Sequence, residues 1–242
     1  MFSKLKAFFG EEIAVPATQE SVAAILAKTS QAQITHGDFN AVSGSRISFL
    51  PYLQLFGGSS DAVKEGKIPI AHYGTTVGKE KTLKDLGTVI SVIPLAWRPK
   101  AMNTKTKPVL AFHNPSSNEF LNIRKMADAD TKSGCIYGPE FLLWHPTERF
   151  ITFLMGSKTA RNEAPAIQPF LPSVDGKLSV ITLSAVLING DEHKWHGPKA
   201  ALSAQTMEAP PADELGQMMH DFLHPKDSVI EAAPAGAENP DR

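Results

Sequence analysis

Short runs of apolar and β-branched residues, separated by clusters of turn-forming residues, dominate the chain between residues 47 and 189. Runs this short are typical of β-strands rather than helices. The clusters between them, such as FGGSSD and SVDGK, are rich in Gly, Ser and Asp, which favour turns. Seven strands are therefore predicted, at 47–56, 69–77, 87–97, 108–113, 136–144, 150–155 and 178–189. With so few helical periods among them, they indicate a mainly β fold, an antiparallel barrel or sandwich.

Helical spacing of apolar positions is confined to short stretches around this β region. It predicts helices over 18–28, 59–65 and 158–166, the last ended by Pro165, and an amphipathic segment at the N-terminus. The clearest helical signal lies at 210–224, where prolines and acidic residues precede an apolar face. Beyond Pro225 the chain becomes rich in Pro, Ala and acids, which predicts a disordered tail.

The chain accordingly divides into three predicted parts. Residues 1–44 form an N-terminal helical and irregular extension, 45–204 a β-barrel domain, and 205–242 an amphipathic helix with an acidic tail. The sequence contains no run of about 18 to 20 apolar residues, so no membrane span is expected. Its N-terminal apolar run is cut by Gly10, Glu11 and Glu12, which is unlike a signal peptide.

A single cysteine, Cys135, excludes an internal disulfide framework and a zinc site built from several thiolates. A reducing, cytoplasmic compartment is therefore expected. The nucleophile of a cysteine–histidine hydrolase would need a flanking activation pattern, which SGCIYG does not supply.

Charge is divided unevenly along the chain. Residues 41–170 hold 16 Lys and Arg against 10 Asp and Glu, a net charge of +6, whereas residues 205–242 hold 2 against 8, a net charge of −6. A basic body favours binding to a polyanion, because cations that neutralise phosphates release counterions. The alternative is a solvated surface on which both signs are interspersed.

Aromatic residues recur beside cations at the ends of the predicted strands. Faces that stack on bases and cations that follow phosphates are the two groups that bind single-stranded nucleic acid. The candidate nucleic-acid-binding residues are Tyr52, Trp97, Arg98, Lys100, Tyr137, Trp144, Lys158 and Arg161. Trp97 and Trp144 end apolar runs, so each could equally be a core tryptophan whose indole N–H donates to a carbonyl.

Enzymatic chemistry has little support in the sequence. The GSKTAR segment resembles a nucleotide-binding turn but has Ile151 where the upstream glycine is required. His193 and His196 could bind a metal with a neighbouring carboxylate, but their spacing suits a surface loop equally well. No catalytic residue, metal or cofactor is predicted.

Three segments, DLGTVISVIPLAWRPKAM, SGCIYGPEFLLWHP and FLMGSKTARNEAP, resemble bacteriophage-encoded proteins that look like single-stranded-DNA-binding proteins. The resemblance covers roughly residues 45–170. It implies an OB-like antiparallel β-barrel, a DNA surface formed by the aromatic and basic residues named above, and an acidic C-terminus that contacts replication or recombination proteins. The protein would then act in the host cytoplasm.

The leading hypothesis is therefore sequence-tolerant binding of single-stranded DNA in phage replication or recombination. The alternative is a phage virion or assembly protein that self-associates through its β domain and forms a homo-oligomer. Binding of an oligonucleotide or its absence distinguishes the two.

Overall fold

A computed structural model describes residues 50–77, 82–106, 109–172, 176–190 and 194–225, together with the backbone of Val229–Ile230. The predicted helix over 18–28, the amphipathic N-terminal segment and the chain after residue 230 lie outside these residues. Four helices are described: α1 (Asp61–Lys64), α2 (Asn118–Ala129), α3 (Lys158–Ile167) and α4 (Ala212–Leu223). A short 3-10 turn, Gln168–Phe170, follows α3.

Ten strands are described. They are β1 (Tyr52–Leu55), β2 (Tyr73–Val77), β3 (Thr82–Gly87), β4 (Val89–Asn103), β5 (Val109–Phe112), β6 (Cys135–His145), β7 (Arg149–Leu154), β8 (Ile181–Asn189), β9 (Lys194–Leu202) and β10 (Val229–Ile230). Their order is β10-β5-β4-β6-β7-β1-β2-β3, and the β8–β9 hairpin joins this path through β4. All pairs are antiparallel except β1 with β7, which run parallel.

The prediction of a mainly β fold is confirmed. The predicted OB-like barrel is not confirmed, because the pairing of the described strands follows an open path whose ends, β3 and β10, do not pair with each other. No helix among the described residues is long and apolar enough to span a membrane.

The long strand β4 is the centre of the fold. Its first residues, Val89 to Val92, pair with β8, and the stretch from Ile93 to Asn103 pairs with β6. A bulge between Pro94 and Ala96 lies near the start of the part that pairs with β6. A bulge bends a strand and increases its twist, so one strand can serve both pairings.

Side chains of β6 alternate between the two faces of the sheet. One face is covered by α2 and α3 and is called the helix-pair face; the other is covered by α4 and is called the α4 face. Buried residues of the helix-pair face include Ala101, Phe120, Ile123, Phe141, Leu143, Phe153, Ala160 and Ala164. Those of the α4 face include Leu142, Trp144, Leu215, Met219 and Phe222. The helix predicted in the C-terminal part of the chain thus packs on the sheet and contributes to its core.

All seven predicted strands and the helices predicted at 59–65, 158–166 and 210–224 are present, with shifted ends. Pro165 lies inside α3 rather than ending it. Strand β4 continues to Asn103, six residues beyond the predicted end at 97. Three strands, β3, β9 and β10, and the helix α2 were not predicted, and β10 lies where a disordered tail was expected. Helix α2 was not predicted because it buries only Phe120 and Ile123, too few apolar positions to show a helical period.

Candidate nucleic-acid interface

The register of β4 and β6 decides which predicted residues share a face. Trp97 pairs with Phe141, Ala101 with Tyr137, and Arg98 with Glu140. Directly opposed residues of an antiparallel pair point to the same face, and neighbours along a strand point to opposite faces. Trp97 and Tyr137 therefore lie on the helix-pair face, whereas Arg98 lies on the α4 face.

Arg98 and Lys100 form a buried ion cluster with Glu140 on the α4 face. Arg98 Nε donates to Glu140 Oε2 at 2.7 Å, and Lys100 Nζ donates to Glu140 Oε1 at 2.5 Å. The three residues are only 8%, 4% and 1% exposed, in the order Arg98, Lys100 and Glu140. Burial by itself would raise the pKa of Glu140, but the charges and hydrogen bonds of the two cations outweigh it and lower the pKa to about 2.

The same arginine anchors α4. Arg98 donates through Nη1 to the carbonyl oxygen of Phe222 at 2.8 Å, and its guanidinium lies 4.3 Å from the centroid of the Phe222 ring. A cation at a helix C-terminus is favourable because the helix dipole is negative there. The assignment of Arg98 and Lys100 to the DNA surface is therefore corrected: both are occupied inside the protein by Glu140.

Trp144 is also internal, so its assignment as a base-stacking residue is corrected. It is 4% exposed, donates from Nε1 to the carbonyl oxygen of Glu208 at 2.9 Å, and packs edge-on against Phe150. The Arg149 guanidinium lies 5.2 Å from the Trp144 ring. This is the core-tryptophan alternative that the sequence had left open.

Tyr52 lies beside the ion cluster. Its ring centroid is 5.8 Å from Lys100 Nζ, and the side chain is partly buried against core residues of the α4 face. Burial and the negative charge of Glu140 raise the pKa of Tyr52 well above its usual value. The phenol is neutral at physiological pH and lies on the opposite side of the sheet from Trp97 and Tyr137.

His113, which was not among the predicted site residues, lies close enough to Arg98, Lys100 and Glu140 to be influenced by their charges. His113 Nδ1 lies 3.0 Å from the carbonyl oxygen of Pro99, which can only accept, so the ring nitrogen donates. Burial and the positive charge of Arg98 lower the pKa of His113 to about 4. The neutral ring of His113, the residue that follows β5, thus donates a hydrogen bond to the Pro99 carbonyl of β4. Its signal in the sequence was only its position at the end of a strand.

On the helix-pair face, four side chains form what we call the aromatic–proline strip: Trp97, Pro99, Pro139 and Tyr137. Trp97 is 41% exposed and the other three are partly exposed. Their neighbours on the same face, Ala101 and Phe141, are fully covered by the helix packing. The strip is therefore a band of flat apolar side chains that stays open where α2 and α3 leave the sheet uncovered.

Two prolines can face each other in this central ladder because neither needs its missing N–H there. Pro99 pairs with Pro139, but the carbonyl of Pro139 accepts from Met155 N at 2.9 Å and that of Pro99 accepts from His113. Both carbonyls thus point away from the shared ladder, which identifies a non-hydrogen-bonded pair. Side chains approach most closely in such pairs, so the two rings form one surface.

Tyr137 lies between the two helices that flank the strip. The guanidinium carbons of Arg161 on α3 and Arg124 on α2 are 4.2 Å and 5.6 Å from its ring centroid. Its hydroxyl donates to Asp128 Oδ1 at 2.8 Å, and Arg161 Nη1 donates to the Tyr137 carbonyl at 3.1 Å. Burial, together with the hydrogen bond to Asp128, raises the pKa of Tyr137, so its ring is uncharged at neutral pH.

Lys158 is exposed at the first position of α3, one helical turn before Arg161. Ser157 caps this helix, since its Oγ accepts from Ala160 N at 3.1 Å. The next residue, Thr159, accepts at Oγ1 from the indole of Trp195 on β9 at 2.9 Å. The sequence analysis did not consider Trp195, whose strand carries too few apolar residues to be predicted.

Four of the eight predicted residues are thus brought to one side of the sheet: Trp97, Tyr137, Lys158 and Arg161. The other four, Tyr52, Arg98, Lys100 and Trp144, lie on the α4 face. Comparison of the chain with protein-family models, with curated proteins and with solved structures finds no match in any of the three.

Proposed function

We propose that this protein binds single-stranded nucleic acid without reading its sequence, on the aromatic–proline strip between α2 and α3. The observation that supports this most is the position of Trp97 and Tyr137 on one partly open face, with the guanidinium groups of Arg124 and Arg161 against Tyr137. Bases stack on flat apolar side chains, and cations beside those side chains bind the phosphates of the strand.

The energetics favour a flexible strand over a duplex. Stacking of a base on an aromatic side chain contributes about 1 to 3 kcal/mol and tolerates any base. In a duplex these faces are already stacked on other bases, so the strip would have nothing to bind. Three further parts of the proposal are supported by the sequence resemblance alone. They are a role in phage replication or recombination, an OB-type barrel, and contact of the C-terminal tail with other replication proteins.

The proposal differs from the sequence-based hypothesis in its residues. Four predicted residues lie on the α4 face and are not part of the proposed interface: Tyr52, Arg98, Lys100 and Trp144. Arg124, which was not predicted, is part of it. Asp128 lies within the same cluster and limits the net positive charge there. Affinity is therefore expected to depend on stacking as well as on charge.

The test is a titration of the full chain with fluorescein-labelled (dT)20 and (rU)20, followed by fluorescence anisotropy at 50 and 300 mM NaCl. Binding is expected to weaken with salt, and Trp97→Ala to weaken it about 5- to 150-fold at either salt, which corresponds to the stacking energy of one base. Leu187→Ala, which removes a 53% exposed apolar residue from β8, is the matched control and should bind like the parent chain.

Cationic residues are tested separately. Lys158→Ala should weaken binding at low salt and reduce the salt dependence, whereas Lys67→Ala, on the α1 loop, should change neither. Equal affinities of Trp97→Ala and Leu187→Ala for the oligonucleotides, or the absence of salt-dependent binding at micromolar protein, would refute the proposal.

Light scattering of the same samples reports on self-association, the alternative function. An oligomer that forms with increasing protein concentration, whether or not the oligonucleotide is present, would favour that alternative.

A further inference from the structure

From the spacing of the strip we infer that the bound strand is stretched, with its bases separated and each lying on one position of the protein. This inference rests on the proposed function and specifies the form of nucleic acid that the site accepts. It starts from the fact that the strip follows the strand direction of β4 and β6, with Trp97 at one end, the Pro99–Pro139 pair in the middle and Tyr137 at the other end.

The strand geometry sets the distance between these positions. Residues two apart on a strand are separated by about 6.8 Å, because the rise is about 3.4 Å per residue. Trp97 and Pro99 are two residues apart, and so are Pro139 and Tyr137, so the three positions span about 14 Å along the strands. They also cross from β4 to β6, since Trp97 belongs to one strand and Tyr137 to the other.

Stacked bases are about 3.4 Å apart along one strand of a duplex, half the spacing of the strip. A strand whose bases remain stacked on one another would place only every second base over a strip position. At the Tyr137 position the guanidinium groups of Arg124 and Arg161 lie over the ring, so a base there stacks on a guanidinium plane. To place consecutive bases on Trp97, on the proline pair and on this position, the strand must be extended about twofold, and each base then contacts protein instead of a neighbouring base. The strip then holds about three nucleotides.

The surroundings of the strip favour this arrangement. The prolines at its centre belong to a closely approaching pair that offers a flat apolar surface without a hydrogen-bonding group. The charged groups gather at its Tyr137 end, where Arg124 and Arg161 lie against the ring from opposite helices. Bases therefore meet apolar surface along the middle, and the backbone meets cations at the edge.

An extended strand predicts a preference that sequence-tolerant binding alone does not. Adenine tracts stack strongly on themselves and must lose that stacking to bind, whereas thymine tracts lose little. The full chain should bind (dT)6 at least fivefold more tightly than (dA)6, and the stacking signal of (dA)6 in near-ultraviolet circular dichroism should disappear on saturation. Affinity for (dT)n should rise steeply until n is about three or four. Longer oligonucleotides should gain affinity only because they offer more positions at which the site can bind.

The same measurements on Trp97→Ala, with Leu187→Ala as control, link the effect to the strip. Trp97→Ala should lose the advantage of (dT)6 over (dA)6, and the control should keep it. Retention of the (dA)6 stacking signal in the saturated complex, or an affinity that climbs steadily to eight nucleotides, would overturn the extended-strand inference while leaving single-strand binding intact. Absence of binding to every oligonucleotide would overturn both.

Discussion

The guanidinium of Arg98 donates to the carboxylate of Glu140 directly across the β4–β6 ladder, on the reverse side of the sheet from the aromatic–proline strip. Lys100 donates to the other oxygen of the same carboxylate. One buried anion thus holds two buried cations immediately behind the proposed interface. Trp97 and Pro99 alternate with these cations along β4 and therefore lie on the opposite face of the sheet.

Replacement of Glu140 by Gln should be among the most destabilising single changes in the described part of the chain. It leaves two buried cations without a counter-charge, and breaking a buried ion pair in this way costs about 3 to 5 kcal/mol. Urea denaturation measures the free energy of unfolding. The informative comparison is Arg98→Met, which leaves Lys100 and Glu140 as a balanced pair and should cost less; the reverse order would contradict the structure.

Stability should decline on mild acidification because of His113. Its pKa in the folded protein is about 4, below its usual value of 6.5, so the unfolded chain takes up a proton first as the pH falls. The contribution of neutral His113 is fully present above about pH 6.5 and is lost between there and about pH 4. Thermal unfolding from pH 7.5 to 4 should show this decline, and His113→Asn, which keeps an N–H donor, should flatten it. An unchanged profile in that variant would exclude His113 as the source.

Gly138 and Gly156 offer a matched test of close packing. A Cβ at Gly138 would lie 2.2 Å from the carbonyl oxygen of Met155, a backbone atom that cannot move aside cheaply. At Gly156 the nearest atom would be 3.5 Å away, an ordinary contact. Gly138→Ala should therefore cost about 1 to 3 kcal/mol or more, and Gly156→Ala less than about 1 kcal/mol. Similar melting temperatures for the two variants would contradict this packing.

Substitution by alanine should destabilise the protein much more at Trp144 than at Trp97. Trp144→Ala removes a buried ring and its hydrogen bond to Glu208, and should cost about 3 to 5 kcal/mol of stability. Trp97→Ala removes a ring that is 41% exposed and makes no hydrogen bond to Glu208, so it should cost clearly less stability than Trp144→Ala. Guanidinium denaturation of both variants distinguishes them; a large loss of stability in Trp97→Ala would place that ring in the core.

Local patterns were sufficient to identify most of the strands. The seven predicted strands are rich in apolar and β-branched residues, which favour strands wherever they pack. Strands β3 and β9 were missed because their sequences, TLKDLG and KWHGPKAAL, are held mainly by pairing with a neighbour rather than by an apolar pattern of their own. The extension of β4 past Pro99 was missed because a proline normally ends a central strand, and here the register places it where no N–H is needed.

The sequence by itself determined that this protein is mainly β, that aromatic residues adjoin cations at strand ends, and that Trp97 and Trp144 could each be either core or surface. Only the tertiary structure decided between those alternatives. Side chains alternate between faces along a strand, so Trp97 and Arg98, adjacent in the chain, lie on opposite sides of the sheet. Which side is open depends on where α2, α3 and α4 pack, and that placement follows from contacts between residues far apart in the sequence.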